Sequence, residues 1–214
     1  MNSATRPLLE ILERARAAGF LGPGPVEAHI VHSTGFAEAA EAALGRQPVS
    51  FADLGSGGGV PGLVMSLRWA AARGVLVESA RRRSGALGDA IASLGLEHRV
   101  EVLEQRAELV AQSGAYRERF EVVTARSFAE PAVTAEVGAG LVTVGGVLVV
   151  SEPPHPSADR WPISGLQELG FGAAEPIERA QAHFVVLRKV ASAPERFPRA
   201  VGRPAKRPLW RCST

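Results

Sequence analysis

The run Phe51-Ala52-Asp53-Leu54-Gly55-Ser56-Gly57-Gly58-Gly59-Val60-Pro61-Gly62 constrains the fold more than any other stretch of this chain. A short apolar segment, 49–54, enters a glycine-dense turn, and a helix-compatible segment, 63–72, leaves it. Strand, tight turn and helix in that order open a nucleotide-type βαβ unit. The glycines permit positive φ and bring bare backbone close to a ligand. The N-terminus of the following helix aims its free N–H groups at the same place.

Two acids narrow the choice of ligand. Asp53 stands two residues before the first glycine, where a carboxylate would repel a phosphate. S-adenosylmethionine has no phosphate and carries a sulfonium and an ammonium, so an acid there is tolerable or useful. Glu78 ends the next apolar run, Val75-Leu76-Val77. It follows the glycines by about 20 residues, the spacing at which such folds place a carboxylate on ribose hydroxyls. The pattern Gly57-x-Gly59-x-x-Gly62 also fits a dinucleotide fingerprint. Residues 51–78 therefore point first to a methyltransferase, with an NAD-type nucleotide binder and a purely structural turn as alternatives.

From residue 49 onward, candidate strands and helices alternate, which predicts a parallel sheet covered on both faces. Strands are expected at 49–54, 74–78, 99–104, 120–125, 146–151 and 182–190, with a weaker one near 173–178. Helices are expected at 61–72, 79–94 and near 106–112, 130–138 and 164–169. Before them, 6–18 reads as an amphipathic helix with Leu8, Ile11, Leu12 and Ala15 on one face. A second helix, 26–44, has a potential break at Gly35. The expected organisation is a helical cap over 1–46, a core domain over 47–190 and a tail over 191–214.

Charge separates that tail from the rest. Arg196, Arg199, Arg203, Lys206, Arg207 and Arg211 face Glu195 alone, so the tail carries +5 and the remainder −3 of the net +2. A basic, proline-rich and extended tail on a mildly acidic body suits a polyanion partner. No apolar run is long enough to span a bilayer, and the N-terminus lacks the order of a signal peptide. The lone Cys212 forms no internal disulfide, and a cytoplasmic protein is expected.

Ligands of doubly wound sheets sit beyond the C-terminal ends of the strands. Arg126, just past the fourth strand, is placed to hold a carboxylate of the cofactor or a substrate phosphate. Ala107 and Glu108, at the exit of the third strand, are placed for an adenine ring. Arg81-Arg82-Arg83 stand at a helix N-terminus, where cations are unfavourable, which hints at an external partner. His29 and His32 share a helix face but make a poor metal site by themselves. No nucleophile elbow or Walker lysine is present.

With these residues in view the chain resembles the RsmG (GidB) family, small-subunit ribosomal RNA methyltransferases that make 7-methylguanosine in the decoding-region loop. His29, the stretch 53–62, Arg106-Ala107-Glu108, Thr124-Ala125-Arg126 and the tail motif from Phe197-Pro198-Arg199 to Pro208-Leu209 carry the resemblance. It implies the class I S-adenosylmethionine-dependent methyltransferase fold: Rossmann-like, with a seven-stranded, mostly parallel sheet and a last strand inserted antiparallel. Carried over by position, the cofactor contacts are Gly55, Val60, Ala107, Glu108 and Arg126, with Glu78 in the place of the family's acid after the second strand; the loop reading adds Asp53 and Gly57 to the expected cofactor site. His29 and Arg126 would position substrate, and Arg199, Arg203, Lys206 and Arg207 would contact RNA. The implied partner is 16S rRNA or the small ribosomal subunit, approached by a metal-free monomer. The chain departs from the family pattern at Ala28, His32 and Ser151-Glu152, where an anion replaces a cation on the substrate side. A paralogue methylating another substrate and a non-catalytic RNA-binding protein are the competing readings.

Overall fold

The structure is a computed structural model that describes residues 5–212. The outer ends of the expected cap and tail, 1–4 and 213–214, lie outside the described residues. Two helices, α1 (Thr5–Ala17) and α2 (Val26–Leu44), precede β1 (Ser50–Leu54), α3 (Gly62–Arg68), β2 (Arg73–Val77), α4 (Arg81–Ser93) and β3 (Val100–Leu103). There follow α5 (Ala107–Gln112), β4 (Phe120–Ala125), α6 (Pro131–Ala139), β5 (Val142–Glu152), α7 (Ile163–Glu168), β6 (Phe171–Arg179), β7 (Ala182–Lys189) and α8 (Arg203–Lys206).

The strands form one seven-stranded sheet in the order β3-β2-β1-β4-β5-β7-β6. Pairings from β3 through β5 are parallel, and β7 runs antiparallel to both β5 and β6. Strand order reverses between β1 and β4, so their C-terminal ends frame the crevice where such sheets bind ligands. The central strands are buried on both faces, consistent with their near-continuous apolar runs. Two apolar clusters result, one under α1, α2, α3 and α4 and one under α5, α6, α7 and the tail.

Helix α2 does not break at Gly35. A Cβ there would meet the Phe184 ring at 2.7 Å, so the glycine lets α2 lie close against β7. Glu41 of α2 accepts two hydrogen bonds from Arg68, at 2.8 and 2.7 Å, and one from the Trp69 indole at 2.7 Å. Trp69 is fully buried and ends α3 four residues earlier than expected. Strands β5 and β6 both extend beyond their expected limits: β7 holds both ends of β6, and the added start of β5 pairs with β4 at Val142 and Phe120.

The tail is not extended. Phe197 and Pro204 are buried, and α8 interrupts the chain between turns. It is fastened at several points: Arg117 donates to the carbonyls of Phe197 and Ala193, at 2.6 and 3.0 Å. The Glu118 carboxylate takes the Ala193 N–H at 2.7 Å and lies 3.3 Å from the buried ammonium of Lys189. Proline-rich sequence suggests extension only when nothing folds it back, and here Arg117 and Glu118 do.

Candidate active site at the strand ends

The glycine loop closes the top of β1. Gly59 has φ +99°, a region that costs a side chain strain, and a Cβ there would meet Leu63 at 2.5 Å. Both sequence-identified acids are turned onto this loop. Glu78 is nearly buried, with Oε2 accepting the Gly57 N–H at 3.1 Å and Oε1 accepting the Ala80 N–H at 2.8 Å. It thus stands at the end of β2 against the loop, where the spacing put it.

Asp53 departs from expectation. It is 1% exposed and does not face out of the loop. Oδ1 accepts the Thr124 hydroxyl of β4 at 2.7 Å and Oδ2 accepts the Gly62 N–H at 3.2 Å. The carboxylate braces β1 against β4 and holds the first turn of α3 from behind. Burial pushes its pKa up to about 6, against the opposing pull of its hydrogen bonds and of Arg126.

Across the crevice, Arg126 and His29 come together from positions 97 apart in sequence. Nη2 of Arg126 donates to Nδ1 of His29 at 2.6 Å. With Nδ1 accepting, the ring proton sits on Nε2 and donates to the Gly22 carbonyl at 3.2 Å. The other terminal nitrogen of Arg126, Nη1, is buried without a hydrogen-bond partner, as is Nδ1 of His32. Burial lowers the pKa of the His32 ring to about 4, helped by the charge of Arg126. The ring packs against Phe36 and Phe184.

Gly55 is exposed above the Phe128 ring, and Val60 and Ala107 are buried walls. Glu108 is nearly buried at the exit of β3 and accepts the Gly202 N–H of the tail at 3.1 Å. Of the four tail cations expected to contact RNA, Arg203, Lys206 and Arg207 are exposed. Arg199 is not a free cation: Glu136, 0% exposed, accepts from its backbone N–H, Nε and Nη2 at 2.8, 2.9 and 2.5 Å. In the arginine run, Arg82 lies over the Phe20 ring and Arg83 is 4.0 Å from Glu78, so intramolecular partners account for two of the three. The roles of Thr124 and Glu136 escape sequence reasoning because each acts through a partner more than 60 residues away, and the Arg160–Trp161 pair that meets Glu152 escapes it because it sits in a proline-rich loop with no periodic signal. Among the described residues, no group of three or more His, Cys, Asp or Glu side chains is placed to hold a metal ion, and no helix is long and apolar enough to cross a membrane.

The Arg126 Nη1 donor and the loop of open backbone fit S-adenosylmethionine. A carboxylate suits the unpartnered guanidinium nitrogen, ribose hydroxyls suit Glu78, and the β3 exit offers apolar wall at Ala107.

Comparisons with known proteins agree with this fold. The chain is similar in fold to a methyltransferase from Geobacter sulfurreducens, with TM-score 0.64 at 13% identity over 89% of this chain and 91% of that one. It is similar also to an O-methyltransferase from Bacillus cereus solved in complex with SAH, with TM-score 0.60 at 15% identity over 86% and 91% of the two chains. By sequence, it is 36% identical to a ribosomal RNA small subunit methyltransferase G of Chloroflexus aggregans, over 76% of this chain and 70% of the relative. The same-named protein of Roseiflexus castenholzii is 37% identical over 77% and 73%. Residues 26–156 match the family described as rRNA small subunit methyltransferase G. Glycine loop, sheet order and relatives lead to one conclusion: this chain belongs to the rRNA small subunit methyltransferase G family.

Proposed function

We propose that this chain transfers the methyl group of S-adenosylmethionine to N7 of a guanine in 16S rRNA. The observation that carries the reading is the glycine loop at the β1/β4 crevice, backed by Glu78, with an unpartnered Arg126 nitrogen just past β4, in a member of a family named for small-subunit rRNA methylation. S-adenosylmethionine supplies a methyl group activated by its sulfonium. The N7 lone pair would displace the thioether from that methyl carbon, the methyl–sulfur bond breaking as the methyl–nitrogen bond forms and S-adenosylhomocysteine leaving; no proton leaves N7, so the chain needs no general base. Its residues position, orient and exclude water, which is proximity catalysis.

In this reading Glu78 receives ribose hydroxyls, Ala107 and Glu108 border the adenine, and Gly55, Gly57 and Val60 form the loop wall. Arg126 takes the carboxylate end with Nη1, while His29 fixes the guanidinium plane. Asp53 acts from behind, as a positioning residue for the loop. The target guanine leaves its stack to reach the crevice. Arg203, Lys206 and Arg207 grip neighbouring phosphates, and Arg199 anchors the tail that bears them. Residues 47–190 carry the transfer, with 1–46 and 191–214 supplying substrate-side elements. The protein acts as a cytoplasmic monomer without a metal.

The test is transfer of labelled methyl from S-adenosylmethionine to small ribosomal subunits, or their naked rRNA, from a strain lacking this gene. Recovery of label as 7-methylguanosine in 16S rRNA is expected. Label in another acceptor would favour a paralogue with a changed substrate, and failure to bind the cofactor at all would favour a non-catalytic RNA-binding protein.

A further inference from the structure

The end of β5 carries an acid, Glu152, on the side of the sheet that an RNA substrate would approach, and any role for it there rests on the RNA substrate proposed above. A carboxylate in that place opposes a polyanion. It is not presented bare. Its side chain is 4% exposed, and Arg160 donates to it twice, from Nε to Oε2 at 2.7 Å and from Nη2 to Oε1 at 3.3 Å. The Trp161 indole N–H donates to Oε1 at 3.2 Å.

This arrangement leaves a particular edge of the guanidinium in use. A guanidinium offers five N–H donors in a planar fork. Glu152 occupies the Nε–Nη2 edge, and Nη1 takes no part in that pair. The Arg160 side chain keeps 23% of its surface and lines a cavity of about 290 Å³ with Ser127, Phe128, Pro131 and Ser151. Ser127 and Phe128 come directly after Arg126, so this cavity opens beside the transfer crevice.

The loop bearing Arg160 is also fixed from behind. The Trp210 indole donates to the Arg160 carbonyl at 2.9 Å, and its ring packs on Gly165 of α7, leaving no room for a Cβ. A side chain so held loses little further freedom when it takes an anion. The terminal edge of an arginine matches two phosphate oxygens.

We infer that Arg160 is an RNA-binding residue at the substrate mouth, held by Glu152 and Trp161 so that its outer edge receives a backbone phosphate flanking the target base. Glu152 thereby becomes the support of a cation, and the anion at the end of β5 is compatible with an RNA substrate.

Arg160→Ala and the double variant Glu152→Gln/Arg160→Ala separate this from simple charge matching. Methyl transfer to naked 16S rRNA, filter retention of that RNA and calorimetric S-adenosylmethionine affinity are measured for each, with unfolding midpoints as a check on folding. Arg160→Ala is expected to raise KM for RNA about tenfold, leave cofactor affinity unchanged, and flatten the salt dependence of RNA binding by about one in the log–log slope. The double variant is expected to stay as impaired. Recovery of wild-type KM in the double variant would mean that Arg160 only neutralises Glu152, and would overturn the inference. So would wild-type RNA binding by Arg160→Ala. Wild-type protein that binds RNA through Arg160 but transfers no label would sink the transfer reading alone. Wild-type protein that binds no RNA would remove both.

Discussion

The two sides of the crevice hold their charges in different ways. On the cofactor side, Asp53 and Glu78 take backbone N–H groups in and beside the loop between them, those of Gly57, Gly62 and Ala80, and Asp53 adds one side-chain partner, the Thr124 hydroxyl. On the substrate side the charged groups are tied to other side chains: Arg199 to Glu136, and Glu152 to Arg160 and Trp161. A carboxylate held by the main chain tolerates change in the residues around it. A guanidinium held by one buried acid does not, since loss of the partner leaves an uncompensated charge. The cofactor side is therefore built from a local motif and the substrate side from pairs.

The sharpest way to break this contrast is to remove a partner on the substrate side. Glu136→Ala leaves the Arg199 guanidinium and N–H without their acceptor and is expected to lower stability by about 3 kcal/mol in urea unfolding, with weaker RNA retention. A loss under about 1 kcal/mol would show that solvent replaces Glu136 readily, and the pairs would then be no more fragile than the loop. On the cofactor side, Glu78→Ala is expected to weaken S-adenosylmethionine at least tenfold by calorimetry while costing about 1 kcal/mol of stability, the scale of its hydrogen bonds. Wild-type cofactor affinity in that variant would remove Glu78 from the site.

The smallest effect concerns His32, whose ring is held neutral among Phe36, Phe184 and Arg126. With a folded pKa of about 4 against an ordinary 6.5, the unfolded chain binds the extra proton first as pH falls. Its contribution to stability is intact above about 6.5 and declines toward pH 4. His32→Phe is expected to flatten the fall in urea midpoint between about pH 7 and about pH 4.5 by up to one proton's worth of slope. Identical pH profiles for the two proteins would show that the ring is hydrated.

The same contrast governs what the sequence discloses. The loop, Glu78 and the alternation of strands are legible because period, glycine spacing and strand-end acids are short-range signals. The antiparallel β7 comes from family resemblance, since no local pattern states where a strand inserts. The position of Asp53 is legible but its direction is not, because its orientation depends on Thr124, 71 residues away. The tail reads as extended because its folding depends on Arg117, Glu118 and Glu136, none of which the tail's own composition reveals. Glu152 looks repulsive for the same reason: its counterion lies in a proline-rich loop that gives no periodic signal.

The fastening of the tail has a mechanical corollary. Between Ala193 and Trp210 it is pinned in turn to Glu118, Glu136, Glu108 and the Arg160 carbonyl, so it runs like a drawstring from the rear of the sheet past the β3 exit to the mouth beyond β5. Slack let into such a cord is shared by every eyelet it passes through. One residue inserted between Gly202 and Trp210 would loosen the hold on Glu108 and the Arg160 loop together, although it touches neither.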